Sequence, residues 1–192
     1  ADTFGVDLIG GDTTRGPLAI GITAMGLSPI GQALRREGAV QGDLICVTGT
    51  LGDAALALQQ LDSPDADPAL RRRLDRPTPR VEAGKLLATW ATAAIDLSDG
   101  LAGDLQHLLL ASQVGAELRA DRLPRSAAFA TAAPADALAL QLHGGDDYEL
   151  CVCLRGEDYQ AVQPALAALG VPLTRIGVIS AEPGLRLREG AV

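Results

Sequence analysis

Short apolar runs closed by glycine alternate along this chain with stretches in which leucine recurs every third or fourth position. Asp43-Leu44-Ile45-Cys46-Val47-Thr48-Gly49 is a run of the first kind and predicts a buried strand, after which Asp53 opens a helix over Ala54 to Leu61. Asp67-Pro68 has the signature of a short helix start, with a loop beyond it. From Thr78-Pro79 the spacing of Leu86, Leu87 and Trp90 places them on one helical face, with Trp90 in the core. Ala93-Ala94-Ile95 then delivers Asp96 to a strand-to-helix turn, where Ser98 or Asp99 caps a helix carrying Leu101, Leu105, Leu108 and Leu109 on one stripe. Tyr148 to Leu154 reads as a strand and Gly156 to Gly170 as a helix that Pro164 begins, kinks or splits; Thr174 to Ile179 reads as a strand and Leu185 to Leu187 as a short edge strand. Ahead of all these, Leu18 to Met25 is apolar and β-rich, Gly26-Leu27-Ser28-Pro29 breaks it at a domain boundary, and Ile30 to Arg36 forms a helical patch. Alternating strands and helices place the chain in the α/β or α+β class.

Composition narrows the partners. With 192 residues, 47% of them hydrophobic, the chain can bury a full core. A net charge of −8 argues against nucleic acid held on basic patches, so a phosphate ligand requires bridging cations. No apolar run approaches the ~20 residues that span a bilayer. The odd cysteine count, with Cys151 and Cys153 one residue apart in a strand and Cys46 in another, fits neither a disulfide framework nor a zinc spacing. Buried thiols in a reducing cytoplasm are the expectation. No targeting segment is visible, and a start without Met, directly before a functional-looking turn, leads us to expect an upstream portion.

The chemistry gathers where carboxylates stand beside glycine: Gly10-Gly11-Asp12-Thr13-Thr14-Arg15-Gly16-Pro17, Asp96-Leu97-Ser98-Asp99-Gly100 and Gly144-Gly145-Asp146-Asp147-Tyr148-Glu149-Leu150. Glycine lets backbone approach a ligand, and the acid supplies the hard oxygen that Mg²⁺ prefers. Any one such corner also reads as an ordinary turn. Asp96 and Asp99 can face one cavity and hold a cation together. The alternative is that Ser98 caps the helix and Asp99 complements its dipole, which leaves Asp96 unexplained. In the first corner, backbone N–H groups donate to phosphate oxygens while Asp12 holds the neutralising cation. Arg36 either supplies charge to a transferring phosphoryl group or is a surface residue. Asp146 and Asp147 either line a substrate pocket with Tyr148 or form a turn before a strand. Arg71, Arg72, Arg73 and Arg76 read as a solvated helix face, and His107 and His143 as structural or rim side chains.

These corners, with Val47-Thr48-Gly49-Thr50-Leu51-Gly52-Asp53, stand in the order and spacing of the thiamine-monophosphate kinase family, which the chain resembles over nearly its whole length. The resemblance implies the ATP-binding superfamily that includes aminoimidazole ribonucleotide synthetase and selenophosphate synthetase. It implies an α+β (α/β-like) fold: residues 28–192 form a C-terminal mixed-sheet, two-layer domain, and residues 1–27 the last strand region of an N-terminal ATP-binding and dimerisation domain. By the same resemblance Asp12, Asp96 and Asp99 bind Mg²⁺, and Gly11, Asp12, Arg36 and Ser98 contact ATP. Asp12, Arg36 and Asp99 serve catalysis, and Asp146 binds thiamine monophosphate where the family usually has Glu. The implied reaction is direct in-line transfer from ATP to thiamine monophosphate in a cytoplasmic homodimer, with neither nucleic acid nor membrane as partner. Further metal-binding aspartates belong before residue 1 and an aromatic substrate contact beyond Val192, so residues 1–192 alone are expected to turn over little.

Three rivals remain at this level: another enzyme of the superfamily, a haloacid-dehalogenase-type phosphatase, and a non-catalytic Mg-ATP-binding module. The phosphatase requires its aspartates one residue apart at a strand end, unlike Asp96 and Asp99. Product identity separates the first rival, and nucleotide binding without turnover the last.

Overall fold

The computed structural model describes residues 2–64 and 66–189. Its internal contacts divide the chain into two units, Ala1–Ala33 and Leu34–Val192, a division later than the 27/28 boundary read from the Gly-Leu-Ser-Pro break.

In the first unit the described residues form one short 3₁₀ turn, Asp2–Phe4, and no strand or α-helix. The strand expected over Leu18 to Met25 is extended chain without ladder partners, with Leu18, Ile20 and Ile22 each more than four-fifths exposed. Alternating apolar residues make a strand only where a neighbour accepts the backbone hydrogen bonds and covers one face. The helix expected over Ile30 to Arg36 is absent too; Gly31, at φ 78°, turns the backbone left-handed where a helix would have to continue.

The second unit is built on one mixed sheet. Its strands are β1 (Leu44–Thr48), β2 (Ala93–Leu97), β3 (Gly115–Arg119), β4 (Glu149–Leu154), β5 (Leu173–Ser180) and β6 (Gly184–Arg188), in the spatial order β2-β4-β1-β5-β3-β6. Neighbours are antiparallel except β3 and β6. The helices are α1 (Asp53–Gln59), α2 (Pro68–Asp75), α3 (Val81–Leu87), α4 (Leu101–Ser112), α5 (Ala127–Ala132), α6 (Ala137–His143) and α7 (Tyr159–Ala168). Asp67 caps α2 through the Ala69 N–H (2.7 Å), with Pro68 in the first turn as its sequence predicts. Pro164 lies inside a single α7 rather than splitting it.

The central strand β1 explains its own continuous apolar sequence. Ile45 and Val47 join a core with Leu101, Leu105, Leu108 and Leu109 of α4, while Leu44 and Cys46 join a second core with Leu87 of α3 and Val162 and Leu166 of α7. Helices therefore cover both sheet faces, and a strand buried on both faces has no reason to alternate. Each fully buried leucine contributes roughly 1.5–3 kcal/mol by leaving water. Cys46, Cys151 and Cys153 are free and buried in these cores, and burial pushes the Cys46 thiol up to about 12, so it packs as a neutral hydrophobe. Trp90 departs from the reading: α3 stops at Leu87, the chain turns, and the indole is left 39% exposed. No helix among the described residues is long and apolar enough to cross a membrane.

Candidate functional site

Strand β2 lies at the edge of the sheet, and its residues Ala93, Ala94, Ile95 and Leu97 are buried while Asp96 is exposed. The chain then bends through Ser98, Asp99 and Gly100 into α4. Only glycine fits the bend: Gly100 has φ 104°, and a Cβ there would lie 2.9 Å from the His143 backbone. The cap of α4 is not the one expected. Neither Ser98 nor Asp99 caps it; instead Asp104, in the first turn, reaches back and accepts the N–H groups of Ser98 (2.9 Å) and Asp99 (3.0 Å) with one carboxylate oxygen. The bend is thus held by a buried acid, and the side-chain cap expected from Ser98 or Asp99 is not made. The side chains of Asp96, Ser98 and Asp99 make no hydrogen bond or ion pair among the described residues, and both carboxylates are exposed.

The Gly144-to-Glu149 segment docks on that bend. Asp146 N–H donates to the Ser98 carbonyl (2.9 Å) and Tyr148 N–H to that of Leu97 (2.8 Å). A Cβ on Gly145 would meet the Ser98 oxygen at 2.6 Å. Asp146 (φ 66°) and Tyr148 (φ 48°) both sit in the left-handed region, a conformation that costs about 1–3 kcal/mol per non-glycine residue and survives only where surroundings enforce it. The Asp146 carboxylate beside the Tyr148 hydroxyl pushes the phenol pKa up, and Asp96 and Asp99 add to the rise. One phenol thus feels three carboxylates from two loops. Beside them a cavity of about 340 Å³ is walled by Pro77, Pro79, Val81 and Leu150, with Arg80, Asp96 and Tyr148 as its polar lining.

Under this surface lies a buried charge assembly. Glu149, fully buried, accepts from Thr48 Oγ1 (2.7 Å), Arg73 Nη2 (2.9 Å), Arg80 Nε (2.7 Å) and Arg80 Nη2 (2.5 Å). Asp53, also buried, accepts from Thr50 (2.6 Å) and Ser126 (2.6 Å), with Arg73 Nε 3.8 Å away. Asp147 places both carboxylate oxygens 3.0 Å from the Gly52 N–H. Burial pushes its pKa from 3.8 up to about 7, outweighing the opposing pull of Gly52 and Arg73. The arginine run therefore divides. Arg71 pairs with Asp75 in solvent as a solvated face would, but Arg73 turns inward. A fully buried strand-end glutamate demands a cation, and that demand is the signal by which sequence alone points to a nearby arginine.

The other sequence-derived residues lie apart from this surface or in the first unit. Arg36 is exposed; its carbonyl accepts from Ser112 at the end of α4 away from Ser98 and Asp99, a helix length of roughly 18 Å. Gly11 and Asp12 belong to the first unit, on exposed backbone that bounds an open hollow with Leu8, Ile9, Gly10 and Thr13. His107 is exposed on α4, off the leucine stripe as read. Among the described residues no group of three or more His, Cys, Asp or Glu side chains is arranged to hold a metal ion by itself. What Asp96 and Asp99 offer is two free carboxylates, which suits a hard cation that completes its sphere with water and phosphate.

The sequence profile of the family described as AIR synthase related protein, C-terminal domain, matches residues 40–190. The chain belongs to that family. Members of this family similar to it include thiamine-monophosphate kinase of Escherichia coli strain K12, 46% identical over 187 residues that make up 93% of this chain and 57% of the relative. The chain thus spans little more than half the length of the curated relatives it matches. Among solved structures, thiamine-monophosphate kinase from Stenotrophomonas maltophilia K279a superposes with a TM-score of 0.79 at 44% identity, covering 84% of this chain and 55% of that one. A structure described as AaThiL complexed with AMPPCP and TMP superposes with a TM-score of 0.70 at 30% identity, covering 83% and 52%. The family's mixed-sheet α+β fold is the one found here.

Proposed function

We propose that this chain forms the greater part of a thiamine-monophosphate kinase, which transfers the γ-phosphoryl group of ATP to thiamine monophosphate to give thiamine diphosphate and ADP. One observation carries the reading: exposed, unpartnered Asp96 and Asp99 share an electrostatic neighbourhood with Asp146 around Tyr148, in a chain 46% identical to relatives of that name. Two carboxylates left free on a bend held by a third have no structural task, and a phosphoryl-transfer site needs such groups. Asp96 and Asp99 would hold Mg²⁺, which would supply positive charge between two anionic substrates, and Asp12 is a further candidate ligand in the first unit. Gly11, Asp12, Arg36 and Ser98 contact ATP, with Ser98 offering a free hydroxyl and Arg36 a free guanidinium. Of the catalytic candidates Asp12, Arg36 and Asp99, Asp99 is the one set at the transfer, while Arg36, at the far end of α4, reaches a more distant part of the nucleotide.

Asp146 orients thiamine monophosphate through the shorter reach of aspartate, with Tyr148 beside it. In the transfer itself an oxygen of the acceptor monophosphate bonds to the γ-phosphorus as the bond to the bridging oxygen of ADP breaks, so no covalent enzyme intermediate arises. Residues 1–27 are the tail of an N-terminal ATP-binding and dimerisation domain, residues 28–192 a C-terminal α/β domain, and the working unit is a cytoplasmic homodimer. Because the chain spans 57% of its relative, residues 1–192 alone turn over little.

Thiamine diphosphate formation from thiamine monophosphate and Mg-ATP, measured on the full-length gene product carrying this chain, tests the reading. Turnover that stops with EDTA and returns with Mg²⁺ supports it. Mg-ATP binding by calorimetry without any thiamine diphosphate overturns it in favour of a binding module.

A further inference from the structure

The buried assembly beneath the site has a geometry that packing alone does not require. Asp147 and Glu149 point inward while the residues before each of them, Asp146 and Tyr148, are held left-handed at the surface. Four separate elements pin this alternation. Gly52, ahead of α1, holds Asp147; Thr48 at the end of β1 holds Glu149 and also accepts the Leu150 N–H (2.8 Å). From α2, Arg73 Nη2 bonds both the Glu149 carboxylate and the Asp147 carbonyl (3.1 Å). Arg80, ahead of α3, grips Glu149 through two nitrogens and also lines the cavity that contains Asp96 and Tyr148.

Glycine is obligatory where the assembly is tightest: a Cβ on Gly49 would collide with the Glu149 carboxylate. A guanidinium bound in two-pronged fashion to a buried carboxylate fixes orientation in a way an ammonium cannot.

We infer that Arg80, with Glu149 and Arg73, is a positioning device: it sets the Asp146–Tyr148 surface against Asp96 and so determines how the phosphoryl acceptor is held. The inference rests on the kinase reading above. Arg80 acts through Glu149 and the cavity wall, and it reaches the Ser98 bend only at second hand, through the backbone hydrogen bonds of Asp146 and Tyr148. Disturbing Arg80 therefore lowers kcat and raises the KM for thiamine monophosphate more than the KM for ATP.

The test compares Arg80→Lys and Glu149→Gln with the unaltered full-length gene product, with Arg71→Ala as a control on the exposed Arg71–Asp75 pair. Melting curves, both KM values and kcat are read for each. Arg80→Lys keeps the charge and loses the two-pronged grip. In protein that is folded at the assay temperature it should raise the acceptor KM about tenfold and lower kcat by up to ~10²-fold, the scale of a misplacement near 1 Å. Glu149→Gln keeps the shape and should shift the same constants in the same direction, while Arg71→Ala moves none. Folded variants with unchanged acceptor KM and kcat overturn the inference. So does a loss of rate that only tracks the unfolded fraction, or a failure of both variants to fold, since each leaves the arginines a scaffolding role alone. An unaltered enzyme that makes no thiamine diphosphate would instead sink the kinase reading.

Discussion

Two groups of acids in this molecule live under opposite rules. Asp53, Asp147 and Glu149 are buried and each accepts hydrogen bonds; Asp96 and Asp99 are exposed and have no partner among the described residues. The first group is bound to the fold, because a buried carboxylate without its partners would cost several kcal/mol. The second costs the fold nothing to keep and contributes nothing to hold it together. The contrast separates acids that specify a shape from acids that the shape presents, and motif reading alone, which meets Asp146, Asp147 and Glu149 as neighbours in one glycine-rich stretch, does not divide them.

The contrast is broken most directly by swapping the consequences. Glu149→Ala leaves Arg73 and Arg80 without their shared carboxylate and should destabilise the chain by about 3–5 kcal/mol in urea unfolding. Asp96→Asn and Asp99→Asn should do the reverse: turnover of the full-length gene product falls ~10²-fold or more, the scale of lost metal-assisted charge stabilisation, while the melting temperature stays level or rises. A matching collapse in stability would place these two acids in the first group. Asp104→Ala, which frees the Ser98 and Asp99 N–H groups, should cost roughly 1–3 kcal/mol and erode activity through the bend it holds.

The acid with a raised pKa gives a pH signature. The folded chain keeps the Asp147 proton up to about 7, whereas an ordinary aspartate releases it near 3.8. Between these values the folded state binds more protons than the unfolded one, so this group's contribution to stability declines as pH rises through the window and is at its least favourable above it. Asp147→Asn should flatten that decline in melting temperatures taken across the window. Arg71→Ala, on an exposed ion pair, should change stability by no more than about 0.5 kcal/mol.

Much of the frame was legible because local pattern and tertiary demand agree there. The run around Leu44 to Thr48, the leucine stripe from Leu101 to Leu109 and the Asp67-Pro68 start all became the elements they predict. Where they disagree, sequence misleads. Leu18 to Met25 has a strand's composition but no sheet to join among the described residues. Strand β3, with α5 and α6, lies in an alanine-rich stretch whose periodicity favours no single element. Of the candidate site, Asp96, Ser98, Asp99 and Asp146 stand out in the sequence by their glycine neighbours, because tight backbone approach leaves a compositional mark. Arg73, Arg80 and Asp104 were missed as parts of the site, because a side chain that turns inward to meet a residue distant in sequence leaves none.

The pairing of β2 with β4 sets Asp96 opposite Leu150 and Leu97 opposite Glu149. Side chains alternate across a strand, so sliding either ladder by one position would drive an acid into oil and turn Ile95 or Leu97 outward. The two loops are consequently geared together like teeth on one rack: neither can lengthen by a single residue alone, and a graft of one onto a related scaffold will work only if its mate travels with it.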